Sequence, residues 1–216
     1  MLDWDPVNHY KDVAVAERYD RERFSSLSGK AFNAIEKSAI KSAFRDVKRD
    51  TQVLDVPCGT GRLAEALLDS GLRVEGADIS AAMLEVAGRK LARFGDRFTT
   101  LVGDVHQLAK ASPKKYQAAL CARVLMHFPL DEQIVFLRSV AELSSGRVAF
   151  TQSLSSPYQR FRRGVKRAIG NQPPAGYPIT ENDLSALLRG AGLREVRRIR
   201  HASLISEGMI VVADPA

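Results

Sequence analysis

Short apolar runs alternate with apolar positions at helical spacing along most of the chain. Val53, Leu54 and Val56 form a continuous run of the kind that fills a strand buried on both faces. From Thr60 the period changes, and Leu63, Ala64, Leu67 and Leu68 recur at helical spacing up to Gly71, a helix cap. The same alternation predicts a strand at 72–77, then a helix opened by Ser80 and carried by Met83, Leu84, Val86 and Ala87. It predicts strands at 98–102 and 116–121, a helix over about 131–143, a turn at Ser145-Gly146 and a strand at 147–153. Strand and helix in this rhythm predict an α/β fold: a doubly wound, mostly parallel sheet with helices on both faces. Thr180 and Asp183 then read as a capping-box variant opening a helix that Gly190 and Gly192 close. The last two apolar stretches, 193–203 and 206–214, are joined by a connection short enough for an antiparallel hairpin. Ahead of the first strand, Phe32, Ile35, Ala39, Ile40, Ala43, Phe44 and Val47 make a core-facing stripe on a helix over 30–47. The organisation expected is a helical cap at 1–50 and a single domain at 51–216, interrupted by a basic insertion at about 154–180.

The length of 216 residues suits one compact domain, and 45% hydrophobic with 26% charged residues is ordinary globular composition. No run is long and apolar enough to span a bilayer, and MLDWDPVNHYKD lacks the basic and apolar regions of a signal peptide. The two cysteines, Cys58 and Cys121, make no disulfide framework, and no Cys/His set shows zinc-like spacing, so no metal site is expected. A reducing cytoplasm is the expected location. The net charge of +7 suits an anionic partner (nucleic acid, an acidic small molecule or an acidic lipid surface) or simply keeps the chain soluble. Nothing here sets an oligomeric state.

The chemistry concentrates in QVLDVPCGTGRLAEALL, residues 52–68. Pro57 ends the strand ladder because it has no N–H to give. Gly59 and Gly61 let the backbone turn sharply and approach a ligand closely. A strand running through a glycine loop into a helix forms a crevice at the carboxyl end of a parallel strand. Gly59-x-Gly61-x-x-Ala64 also satisfies a dinucleotide pattern. Asp55 speaks against that reading: a carboxylate suits a cationic amine, not a pyrophosphate. Two further apolar strands end at aspartates, Asp78 in VEGADIS and Asp104 in LVGDV. Asp78 lies nineteen residues after Gly59, where a carboxylate can take both hydroxyls of a ribose.

On these segments the chain resembles the class I S-adenosylmethionine-dependent methyltransferases. LDVPCGTGR is similar to their glycine-rich first motif, GADIS to the acidic second, LVGDV to the third, and CARVLMHFP to the segment after strand four. The resemblance runs from about Ala14 to Val212, and is nearest to small-molecule enzymes resembling those of ubiquinone and menaquinone biosynthesis. It implies S-adenosylmethionine as cofactor and a seventh strand inserted antiparallel. Asp55, Pro57, Cys58, Gly59, Thr60 and Gly61 would wrap the cofactor; Asp78 and Ile79 would follow at the ribose and adenine, and Met83 reads as a core residue or one touching the adenine face. Asp104 would meet the adenine amino group, with Gly103, Val105 and His106 alongside, although His106 reads equally as an exposed loop histidine. Cys121 and Ala122 would lie near the methionine end, and neighbouring strands would bring Cys58 and Cys121 together as small buried residues. Tyr19 and Arg23 share one helix face in AVAERYDRERF; by resemblance Tyr19 caps the site and Arg23 faces the methionine carboxylate, while the dense charges also suit a solvated helix.

His127, just past strand four, is the candidate general base, or else caps the following helix. The insertion crowds Arg160, Arg162, Arg163, Lys166 and Arg167 around Tyr158 and Phe161. In this fold such insertions build substrate lids, so Tyr158, Arg162, Arg163 and Lys166 are candidates to meet an anionic or lipid-linked acceptor. A nucleic-acid or membrane surface, or a solvated helix, fits the same residues. The expected reaction is methyl transfer to a hydroxyl, with an amine next, of a small molecule. The alternatives are a nucleic-acid methyltransferase, against which CARVLMHF stands where an Asn/Asp-Pro-Pro-aromatic motif belongs, and a non-catalytic binding subunit of the same fold.

Overall fold

A computed structural model of the chain describes residues 26–113, 115–155, 177–200 and 208–216. Its strands are β1 (Gln52–Asp55), β2 (Arg73–Asp78), β3 (Phe98–Val102), β4 (Tyr116–Cys121), β5 (Ser144–Ser153), β6 (Leu193–Arg200) and β7 (Gly208–Pro215). Its α-helices are α1 (Leu27–Ala43), α2 (Ala64–Asp69), α3 (Ala81–Leu91), α4 (Val105–Ala111), α5 (Leu130–Leu143) and α6 (Glu181–Gly190). The strands form one sheet in the order β3-β2-β1-β4-β5-β7-β6. β1 to β5 pair in parallel, while β7 runs antiparallel to both β5 and β6. The order reverses between β1 and β4, which opens a crevice outside their carboxyl ends.

Alternation along the central strands sorts the core into two layers. Leu54, Ala119, Cys121, Phe150 and Val211 face α5 and α6, where Leu137, Val140, Leu184 and Leu187 are buried. Val53, Ala118, Leu120, Ala149 and Val212 face the opposite layer, filled by Ile40, Ala43, Leu67 and Leu84 from α1, α2 and α3. Burying both faces explains why these strands read as unbroken apolar runs.

Four local readings change. α1 starts at Leu27, before the expected 30, because Ser26 accepts from Gly29 N–H at 3.0 Å as an N-cap. It ends at Ala43, where Arg197 Nη2 donates to the Ser42 and Ala43 carbonyls at 2.5 and 3.1 Å. α2 begins only at Ala64, not Thr60, because Gly61 holds a left-handed φ of +73° that no α-helix accepts. Ser145-Gly146 belongs to β5 and not to a turn. A Cβ on Gly146 would stand 2.5 Å from Gln117 O, so glycine there lets β5 pass a register irregularity in β4. Finally, the residues after Asp104 form α4, with Asp104 Oδ1 accepting from His106 N–H at 2.9 Å and Gln107 N–H at 3.2 Å. The capping box at Thr180 is present: Thr180 Oγ1 accepts from Asp183 N–H at 3.2 Å and Asp183 Oδ2 from Thr180 N–H at 2.9 Å.

Candidate active site

The loop after β1 is fastened to both neighbouring strands. Val56 N–H donates to Leu120 O at 2.9 Å and Cys58 N–H to Ala77 O at 2.8 Å. The Val56–Pro57 peptide is cis. Gly59 and Gly61 both have positive φ, +54° and +73°, for different reasons. A Cβ on Gly59 would meet no atom of the described residues within 4 Å, so among them only the backbone conformation calls for glycine. A Cβ on Gly61 would stand 2.7 Å from Leu91 Cδ1 and 3.1 Å from Ala87 Cβ, so glycine also lets the loop seat on α3.

Above this loop lies a cavity of about 310 Å³. Asp55, Asp78 and Asp104, from the ends of three adjacent strands, all line it. Asp78 organises the glycine loop: its Oδ2 accepts from Gly59 N–H at 2.8 Å and its Oδ1 from Ser80 N–H at 2.9 Å. Burial nevertheless pushes its carboxyl above the ordinary range against these donors. Asp55 is 1% exposed. Burial raises its pKa to about 7; the Cys58 thiol hydrogen bond and the Arg62 charge counteract, while the Asp78 charge adds to the rise. Among the described residues its Oδ2 has no donor. An orphaned buried carboxylate oxygen is costly unless a ligand satisfies it.

The other wall is cationic and aromatic. Arg62 Nη2 donates to Glu36 Oε2 at 2.5 Å, and Nη1 to Asn33 Oδ1 at 2.7 Å. Arg123 Nη1 donates to Glu36 Oε1 at 3.2 Å, and its guanidinium lies over the Phe32 ring. Arg123 holds φ +61°, a conformation costing an L-residue roughly 1–2 kcal/mol. Its N–H donates to Thr151 Oγ1 at 2.6 Å, which helps hold it there. His127 ends a short 3₁₀ turn, Leu125–His127, and lines the cavity with Met126 and Phe128.

Most candidate residues converge here. Pro57, Cys58, Thr60, Ile79, Met83, Gly103, Val105, His106 and Ala122 line the cavity with the three aspartates, Gly59 and His127. His106 is no exposed loop residue: it sits on α4, half-buried, with Nδ1 2.8 Å from Ser139 Oγ and its ring edge-on to Phe136. Gly61 is outside the lining, because its Cα faces Leu91 and Ala87. Cys121 is also outside. It is fully buried in the layer facing α5 together with Leu54 and Val56, whereas Cys58, in the loop past the end of β1, packs in the opposite layer, so the loop turn carries its thiol to the other side of the sheet. Burial raises both thiol pKa values, which makes them inert packing groups. Tyr19, Arg23, Tyr158, Arg162, Arg163 and Lys166 lie outside the described residues. Sequence reasoning missed Glu36, Arg62 and Arg123. A signal existed for Glu36: it is a lone carboxylate four residues from both Phe32 and Ile40, in the register of the buried stripe. Among the described residues, no group of three His, Cys, Asp or Glu side chains is placed to hold a metal ion.

A glycine loop at the switch point, carboxylates ending β1 and β2, and an antiparallel β7 together define the class I methyltransferase type of nucleotide-binding fold. Comparison with known proteins agrees. Residues 53–145 match the family described as "Methyltransferase domain". A ubiquinone biosynthesis O-methyltransferase of Nitrosospira multiformis is 35% identical over 149 residues, covering 65% of this chain and 62% of that protein. A magnesium-protoporphyrin O-methyltransferase of Synechocystis sp. is 32% identical over 99 residues, covering 44% of this chain and 41% of that protein. The chain thus spans less than two thirds of the length of either relative. Among solved structures, magnesium protoporphyrin IX methyltransferase from Synechocystis PCC 6803 with bound SAH superposes with a TM-score of 0.77 at 22% identity, covering 98% of this chain and 100% of that chain. Over residues 53–145 the chain is thus similar to the methyltransferase-domain family, and it shares the fold of the solved magnesium protoporphyrin IX methyltransferase.

Proposed function

We propose that this protein transfers a methyl group from S-adenosylmethionine to a hydroxyl of a small molecule, an amine being the next choice of acceptor. The observation that carries the reading is the buried Oδ2 of Asp55, without a partner among the described residues, in a cavity ringed by Asp78 and Asp104. Three carboxylates in one crevice suit a ligand that presents an ammonium, a pair of hydroxyls and an exocyclic amine, and repel a pyrophosphate. The two relatives named above are both O-methyltransferases, which supports oxygen as the acceptor atom.

The residues present fit the cofactor. Asp55 Oδ2 would hold its α-ammonium, Asp78 its ribose hydroxyls, and Asp104 with Val105 and His106 its adenine. S-adenosylmethionine, when bound, supplies a methyl group already made electrophilic by its sulfonium. The protein's task is then to bind, orient and exclude water, and such positioning accounts for roughly 7–11 kcal/mol of a two-substrate barrier. His127, at the mouth formed after β4, would take the proton of the acceptor hydroxyl. The net charge of +7 and the basic stretch holding Arg162, Arg163 and Lys166 support an anionic or lipid-linked acceptor, and the absence of disulfide patterning supports a cytoplasmic location. Among the described residues no helix is long and apolar enough to cross a membrane.

Replacing His127 by alanine tests the assignment. Turnover is expected to fall about 10²–10⁴-fold, the range of a lost general base, with S-adenosylhomocysteine affinity unchanged. Unchanged turnover in steady-state assays removes His127 from the chemistry.

A further inference from the structure

Glu36 is 1% exposed on α1, among otherwise apolar buried residues. A carboxylate in that position is expensive to bury, so its partners matter. Its Oε2 accepts from Arg62 Nη2 at 2.5 Å, and Arg123 Nη1 stands 3.2 and 3.4 Å from its two oxygens. Arg62 directly follows the glycine loop, and Arg123 opens the turn that leads to His127. Both arginines line the cavity. One buried carboxylate therefore spans three elements: α1, the loop after β1 and the turn after β4. It also braces Arg123 in its left-handed backbone conformation, φ +61°.

Resting on the function proposed above, we infer that Glu36 is a positioning residue that fixes Arg62 and Arg123, and through them the cofactor loop and the His127 turn, in binding geometry. Retaining a buried ionic cluster for geometry rather than for net stability is consistent with the balance of desolvation against Coulomb energy. The neutral Glu36→Gln variant keeps the shape and removes the charge that orders both guanidiniums. Misplacing a crevice wall this way is expected to weaken S-adenosylhomocysteine binding on the order of tenfold or more.

The test is a double-mutant cycle read by calorimetric titration with S-adenosylhomocysteine on Glu36→Gln, Arg123→Gln and the double variant, with thermal melts alongside. A positioning role acting through Arg123 predicts that Glu36→Gln costs clearly less affinity in the Arg123→Gln background than in wild type. Equal affinity of Glu36→Gln and wild type overturns the inference. So do additive effects on affinity, because a purely structural Glu36 does not depend on Arg123. If Glu36→Gln fails to fold, Arg123→Gln and Arg123→Lys carry the test: lost affinity partly restored by lysine supports the cluster, and unchanged affinity in both overturns it. If wild type itself fails to bind S-adenosylhomocysteine, it is the proposed function that falls.

Discussion

Asp78→Ala is expected to weaken S-adenosylmethionine binding by at least about a hundredfold. The carboxylate does two jobs at once. It accepts from Gly59 and Ser80 N–H, and so shapes the glycine loop and opens α3. In the proposed complex it also takes the ribose hydroxyls with its remaining lone pairs. Hydrogen bonds to a charged group contribute about 1.5–3 kcal/mol each, so losing two approaches roughly 3–6 kcal/mol, or two to four decades of affinity. The alanine variant also leaves the buried Ser80 N–H without its acceptor, at a cost of about 1–3 kcal/mol to folding. Asp78→Asn, which keeps acceptor oxygen but not charge, should fall between. Calorimetry reads the affinity and thermal melts the stability; wild-type affinity in Asp78→Ala contradicts the ribose assignment.

The second large effect is on pH dependence. Burial raises the Asp55 pKa from its ordinary 3.8 to about 7 in the free protein. For such a group the folded state binds the proton more tightly than the unfolded chain. The stabilisation is therefore fully present below about pH 3.8 and is lost progressively as pH rises through about 7. A cationic ammonium needs the opposite form, the ionised carboxylate. Below pH 7 binding must release the proton, and affinity is expected to fall by up to about tenfold per pH unit, levelling off above pH 7. Asp55→Asn should bind weakly, without that slope, and should flatten the corresponding loss of stability between pH 5 and 8. Titrations across this range, in buffers of different ionisation heat, count the released proton. Flat wild-type affinity from pH 5.5 to 8 contradicts the ammonium assignment.

The parts of the fold legible in the sequence are those where both faces of a strand are buried. Val53–Leu54, 118–121 and 209–213 read as strands because no polar residue interrupts their packing. The aspartates are legible because each stands at or just past the end of a strand, Asp55 on β1, Asp78 on β2 and Asp104 after β3. What escaped were features made by contact between distant segments. α4 is short, and its start depends on Asp104 turning back to cap it. The role of Gly146 depends on Gln117 of β4. Glu36, Arg62 and Arg123 look like ordinary surface charges until α1 is laid against the crevice, and no spacing rule joins residues 26 and 87 positions apart. Adjacent strands suggest that Cys58 and Cys121 meet, but Cys58 lies past the end of β1, where the loop and not the strand sets the face its side chain occupies.

The central claim is the identity of the cofactor, and calorimetric titration of the wild-type chain with S-adenosylmethionine and, separately, with NAD tests it most directly. The carboxylate-ringed crevice predicts one site per chain for S-adenosylmethionine and no heat of binding for NAD. Binding of NAD, or of neither compound, contradicts it.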